Sequence, residues 1–285
     1  MRTPVTLLAI VAGLVALFGV AINLGESIVG SAAPAPYRNG EQPRAGDDDH
    51  SAGPGGLAVA SQGYVLRART TRFTAGDSTD FLFTVFTVND GKPVTDFARN
   101  DGQRMSLTVV RRDLTGYQHL SPIMAPDGTW SVPLLLDQPG SYRAFAEFLP
   151  TTATAPVTLG LDLDVPGLVE PGPISKVSTV DETGGYTVIR TGDLVSGSVS
   201  QIFMHVTRDN VPVTDLDLYQ GNAGRLVILR EGDLAYLHVR PVAGPRLETT
   251  IAFEAEAPTA GFHRMFLEFQ HRGRVRIAEF TVQAR

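Results

Sequence analysis

One phrase is written twice in this chain. "RRDLTGYQHLSP" at 111–122 returns as "REGDLAYLHVRP" at 230–241, with the histidine in the same place. The echo extends on both sides: "KPVTDF" (92–97) matches "VPVTDL" (211–216), and "GSYRAFAEF" (140–148) matches "GFHRMFLEF" (261–269). The separation stays at about 120 residues, too long for a solenoid repeat and right for a duplicated domain. The 285 residues leave room for two such domains, each with its own core.

Within each copy the texture is that of short strands. "TDFLFTVFTV" (79–88), "RMSLTVVR" (104–111), "TWSVPLLL" (129–136) and "SYRAFAEFL" (141–149) are β-branched or aromatic runs. They are parted by "NDGK", "DLTG", "PDGT" and "QPGS", which carry turn chemistry. The second half repeats the plan from "SVSQIFMHVT" (198–207) to "RVRIAEFTV" (274–282). This spacing predicts an all-β chain of two tandem immunoglobulin-like antiparallel sandwiches, repeat 1 over 62–165 and repeat 2 over 176–285. The Pro/Gly-rich residues 166–175 are the expected linker.

The first 30 residues stand apart. After Met1–Arg2, residues 4–25 carry no charge and are long enough to cross a ~30 Å hydrocarbon core as a helix. They read as an N-terminal transmembrane anchor or a signal segment; the candidate cleavage points "SAA" and "APA" both precede a proline. Arg2 inside and Glu26 outside orient the body to the extracytoplasmic side of the cell membrane, single-pass, with a secreted protein as the alternative. Residues 31–61, rich in Gly, Pro, Ala and charge, are expected to be a disordered tether.

A net charge of −6 argues against a nucleic-acid partner. The basic cluster "HRGRVR" (271–276) reads as a hairpin tip. With no cysteine, the chain has no disulfide, thiolate ligand or thiol nucleophile. It also lacks His-Glu-x-x-His, Gly-x-Ser-x-Gly and a phosphate-cradling loop, so no catalytic residue is assigned and no enzyme is expected.

A hairpin turning at Asp113–Gly116 sends Met105, Leu107, Val109 and Leu120 inward, and leaves Ser106, Thr108, His119 and Ser121 on the outer face. Thr108 then falls opposite His119, and Ser106 opposite Ser121. The same exercise around Glu231–Leu234 turns Leu226, Ile228 and Val239 inward and sets Arg225 opposite Arg240, with His238 beside them. Asp113 and Asp233 are expected to cap their turns. Met105 and Met265 fall on inward stripes.

The phrases "VVRRDLTGYQHLSP" and "GRLVILREGDLAYLHVRP", with "PVTDL" and "FLEFQH", resemble a family of exported bacterial two-repeat proteins to which metal-ion handling is attributed. The resemblance spans about residues 62–285. It implies histidine ligands at positions that in this chain hold His119 and His238, on the outer hairpin faces, and His271. The family pattern His-x-His-Pro reads "HLSP" and "HVRP" here, and a further histidine of the preceding strand is replaced by Ser106 and Arg225. A first-row metal needs three or four converging ligands, and arginine cannot be one. Imidazoles added at Ser106 and Ser121 would complete three beside His119.

Two functions therefore stand. One is a non-catalytic envelope protein of metal-handling type with weak or vestigial affinity for copper or zinc and no other cofactor. The other is a structural or protein-interaction module that meets an envelope protein partner and holds no metal. In both, the membrane is met through the N-terminal helix.

Overall fold

The computed structural model describes residues 54–100, 102–172, 176–242 and 250–285. The expected anchor at 1–30 lies outside these residues, as does the tether up to residue 53. Among the described residues every regular element is a strand, and no helix is long and apolar enough to cross a membrane.

Repeat 1 contains β1 (Ala60–Ser61), β2 (Tyr64–Ala68), β3 (Ser78–Thr87), β4 (Phe97–Ala98) and β5 (Met105–Arg111). These are followed by β6 (Gln118–Leu120), β7 (Ile123–Met124), β8 (Thr129–Leu135), β9 (Gly140–Pro150) and β10 (Val157–Val165). One sheet runs β1-β2-β3-β8-β7 and the other β10-β9-β5-β6, with antiparallel pairing. Phe81, Phe83, Leu107, Trp130 and Phe148 fill the space between them.

Repeat 2 contains β11 (Val180–Thr183), β12 (Tyr186–Thr191), β13 (Val199–Arg208), β14 (Val211–Pro212) and β15 (Arg225–Arg230). It closes with β16 (Val239–Pro241), β17 (Thr250–Glu256), β18 (Gly261–His271) and β19 (Arg274–Ala284). Its sheets are β11-β12-β13-β17-β16 and β15-β18-β19, around Tyr186, Ile202, Phe253, Met265 and Phe280. Both repeats place an A-B-E-D sheet against a C-F-G sheet, the immunoglobulin-like order.

The phrase is the connection that changes sheets. In repeat 1, Gln118–Leu120 ladder with β5, and past Pro122, Ile123–Met124 join β8 in the other sheet. In repeat 2, Tyr236 bridges Leu229 on β15, and Val239–Pro241 join β17. Each turn holds a leucine in the left-handed region, Leu114 at φ 65° and Leu234 at φ 63°. That backbone costs a leucine about 1–2 kcal/mol. Aspartate caps secure it: Asp113 accepts from Thr115 N at 3.2 Å, and Asp233 from Ala235 N at 3.1 Å. Each cap is braced by the arginine that opens the phrase, Arg111 to Asp113 and Arg230 to Asp233.

The inward residues of the first hairpin are as expected, and Thr108 does pair with His119. The second hairpin differs. Arg225 lies opposite Glu268 on β18, and Arg240 opposite Glu254 on β17, because the strand leaves for the other sheet after Leu237. Ser106 does not ladder with Ser121 for the same reason: the β5–β6 pairing ends at Leu107–Leu120. The basic cluster is a hairpin tip, closed by His271–Arg274 with Arg272 and Gly273 both at positive φ.

Residues 54–61 are not tether. Gly56 N donates to Thr158 O, Gly160 N to Ala58 O and Tyr236 N to Gly55 O, so this segment straps β10 of repeat 1 to the phrase of repeat 2. Arg143 clamps the strap by donating to Gly56 O and Leu57 O. Two glycines permit the close approach: a Cβ on Gly56, at φ 74°, would lie 2.4 Å from the Phe145 ring, and one on Gly160 would lie 1.8 Å from Gly56 O.

Candidate functional site

Of the residues that the sequence singles out, Ser106, His119 and Arg225 lie where the two repeats meet. Residues 52–285 form one unit by their contacts. The outer faces of the two C-F-G sheets contribute to a third apolar core, which buries Val110, Tyr117 and Phe145 of repeat 1 with Val227, Leu229, Tyr236 and Phe266 of repeat 2. Leu114 and Leu234 also pack here, which offsets the strain in their turns. Tyr117 stacks on Phe266 with centroids 4.1 Å apart, and Tyr236 tilts against Phe145 at 5.3 Å.

A polar layer borders this core. His119 Nδ1 lies 2.7 Å from Glu268 Oε2, and their side chains are only 2% and 1% exposed. His119 Nε2 lies 3.0 Å from Ser106 Oγ. An ionised carboxylate only accepts, so the Nδ1 proton points to Glu268, while Nε2 shares a hydrogen bond with the serine hydroxyl. Tyr117 OH donates to the other oxygen of Glu268, and the Tyr219 hydroxyl lies 3.2 Å from His119 Nδ1. Burial opposes ionisation of Glu268, but the bonds from His119 and Tyr117 and the charge of Arg225 outweigh it. The carboxyl is held below its usual range.

The mirror position is handled differently. Glu147, which pairs with Ser106 as Glu268 pairs with Arg225, accepts from Asn100 Nδ2 at 3.1 Å. Arg225 reaches across to it at 3.4 Å and donates to Tyr236 OH at 3.0 Å. The side chains of Arg225 and Glu147 are 12% and 17% exposed, so this is a largely desolvated pair.

His119 is therefore on the outer face of its own sandwich, as the period predicts, but that face is covered by the other repeat. His238 and His271 lie in other surroundings. His238 is exposed and accepts from Arg240 Nε at 2.7 Å. His271 is buried, with Tyr186 OH 2.8 Å from its Nδ1 and Asp215 Oδ1 3.1 Å from its Nε2, the latter without good hydrogen-bond alignment. Among the described residues no three His, Cys, Asp or Glu side chains gather into a group that could hold a metal ion. Met105, Met204 and Met265 are in the cores.

Ser106, His119 and Glu268 have the atom order of a hydrolase triad. Ser106 is 7% exposed within β5, paired with Glu147 of β9, and is not on a strand-to-helix turn that frees backbone N–H groups for an oxyanion. The line of bonds works as a joint between repeats.

Sequence reasoning missed Glu147, Glu268, Tyr117 and Tyr236. The signal was present in "FAEF" and "FLEF". On β9, Ala144, Ala146 and Phe148 face the core of repeat 1, so Phe145 and Glu147 must face outward. An outward Phe in both copies marks a strand covered on both faces.

Residues 59–163 and 178–285 each match the family described as a domain of unknown function (DUF8832). The chain belongs to that family. It carries the domain twice, and the seam joins the two copies. None of the curated proteins matches the chain. Among solved structures, the Escherichia coli adhesin FdeC is similar at 11% identity and a TM-score of 0.25, over 80% of this chain and 66% of that one. Salmonella alpha-2-macroglobulin reacted with methylamine gives 12% and 0.28, over 81% and 15%. The Yersinia pseudotuberculosis adhesin InvE gives 11% and 0.24, over 79% and 60%. The chain thus spans less than two thirds of each of these chains, and at such scores none lends it a role.

Proposed function

We propose that this protein is a non-catalytic structural or protein-interaction module of the cell envelope, carried on the extracytoplasmic side by its N-terminal segment. The observation that supports this most is the closed seam. Ser106 and Arg225, two of the places where the resembling family carries histidine, lie in the contact between the repeats, and the His119 imidazole is engaged there by Glu268 and Ser106. A metal centre needs donors that converge and are free to bind. His119, His238 and His271 do not fit that requirement, since each has separate partners. What the seam does provide is a fixed relation between two sandwiches, which suits a spacer or a presenting surface.

Calorimetric titration of a soluble fragment starting near Gly55 with copper(II) and zinc(II) tests the reading. No tight stoichiometric binding is expected at neutral pH. A submicromolar site of defined stoichiometry would return the protein to the metal-handling class.

A further inference from the structure

The contacts across the seam come in exchanged pairs. Tyr117 and Tyr236 are the same position of the repeated phrase, and Phe145 and Phe266 the same position of the repeated strand. Tyr117 of repeat 1 packs on Phe266 of repeat 2, while Tyr236 of repeat 2 packs on Phe145 of repeat 1. The carboxylates follow suit. Tyr117 donates to Glu268, while Tyr236 is linked to Glu147 through Arg225, which donates to Tyr236 OH and pairs with Glu147. Val110 and Leu229, equivalent by their pairing with Arg143 and Arg264, meet in the same core. Residue i touching j while the equivalent of j touches the equivalent of i is the signature of a two-fold, isologous interface.

We infer that each repeat carries a self-complementary patch and that the seam is a homodimer interface enclosed within one chain. The partner this surface fits is a second copy of the same repeat. Repeat 2 is the better-matched half. In a pair of repeat 2 domains, each Tyr236 would stack on the partner's Phe266, and each Arg225 would face the partner's Glu268. Charges balance with two guanidiniums and two carboxylates. Repeat 1 has Ser106 at the Arg225 position and relies on His119 instead.

The inference is tested first in the full chain. His119→Ala removes a partner of buried Glu268 and should lower the melting temperature by roughly 10 °C. If the seam has two-fold logic, Ser106→Arg places a guanidinium opposite Glu147 and in reach of Glu268, as Arg225 is placed toward Glu147. The double variant should then recover most of the loss. An arginine forced into an asymmetric buried site would deepen the loss instead, and that result would overturn the inference. The second measurement is sedimentation of residues 176–285 at tens of micromolar. A dimer that Tyr236→Ala converts to a folded monomer is expected, and a folded monomer without the substitution would sink the idea. Should that fragment fail to fold, the full-chain rescue decides alone.

Discussion

Glu268 gives the sharpest test of whether the repeats unfold as one. Its carboxylate is 1% exposed and takes hydrogen bonds from His119 and Tyr117, with the Arg225 charge nearby. Glu268→Ala strips the acceptor from those groups and leaves an imidazole and a phenol buried without it. Breaking such a buried network from one side costs roughly 3–5 kcal/mol, or roughly 6–20 °C in a unit of this size. Glu268→Gln keeps the shape and one acceptor oxygen, so it should cost roughly half as much. The chain has one tryptophan, Trp130, buried in the repeat 1 core. Its fluorescence therefore reports repeat 1, while Glu268 belongs to repeat 2. Urea titrations followed by Trp130 fluorescence and by far-ultraviolet dichroism should shift together in Glu268→Ala. A Trp130 transition that stays at the native midpoint would refute the coupling. Acid adds a second readout. The folded carboxyl of Glu268 titrates below its unfolded value of about 4.3, so its contribution is complete above that pH and fades as pH falls through the folded value. Glu268→Gln should flatten the acid limb of stability below about pH 4.3 and leave the neutral region parallel to the native curve.

The strap gives another test: Gly56→Val puts a branched side chain at φ 74° and into the Phe145 ring, so Leu57 should become a site of rapid limited proteolysis while the sandwiches stay folded. Undiminished protease resistance would mean the strap adds nothing. The pair Ser106→His and Ser121→His should lower stability and create no copper site, because Ser106 is buried in the seam; tight copper binding measured by calorimetry would show that the face opens in solution. Full-length protein should sediment with membranes and a chain lacking residues 1–30 should not; a mature form beginning near Ala32 in the medium would favour the secreted alternative.

The fold was largely legible because its signals are local. Period-two alternation assigned the inward faces of β5, β6 and β15 correctly, and Asp-containing turns located both phrase hairpins. The sheet change after Leu120 and Leu237 was not legible, since nothing in so short a rung says which neighbour the strand will choose next. That single missing fact misplaced Arg240 opposite Arg225. The strap failed for another reason. Composition reads Gly55 and Gly56 as flexible linker, and only the tertiary context reveals that a side chain at Gly56 would run into the Phe145 ring, and one at Gly160 into the strap itself. The seam was half-legible: the histidine was placed on the right face, but outer was taken to mean exposed. The repeated Phe145 and Phe266 argued otherwise, as an outward phenyl in both copies has no reason to face water.

The departures from the histidine pattern acquire a meaning at this seam. Glu147 and Glu268 hold equivalent places, and a carboxylate buried between two sandwiches costs several kcal/mol unless donors close around it. The chain meets this demand twice with different chemistry. At Glu147 the donors are Asn100 and a guanidinium long enough to reach across from β15. At Glu268 they are an imidazole and a phenol from repeat 1, and the position equivalent to Arg225 is a serine, small enough to admit the His119 ring and able to hydrogen-bond its Nε2. Ser106 and Arg225 are thus complementary choices, one making space and one filling it. Histidines at both places would set further neutral or titrating rings beside the same carboxylates, in a layer that needs fixed donors. On this reading Ser106 and Arg225 are what let the two repeats close on each other around Glu147 and Glu268.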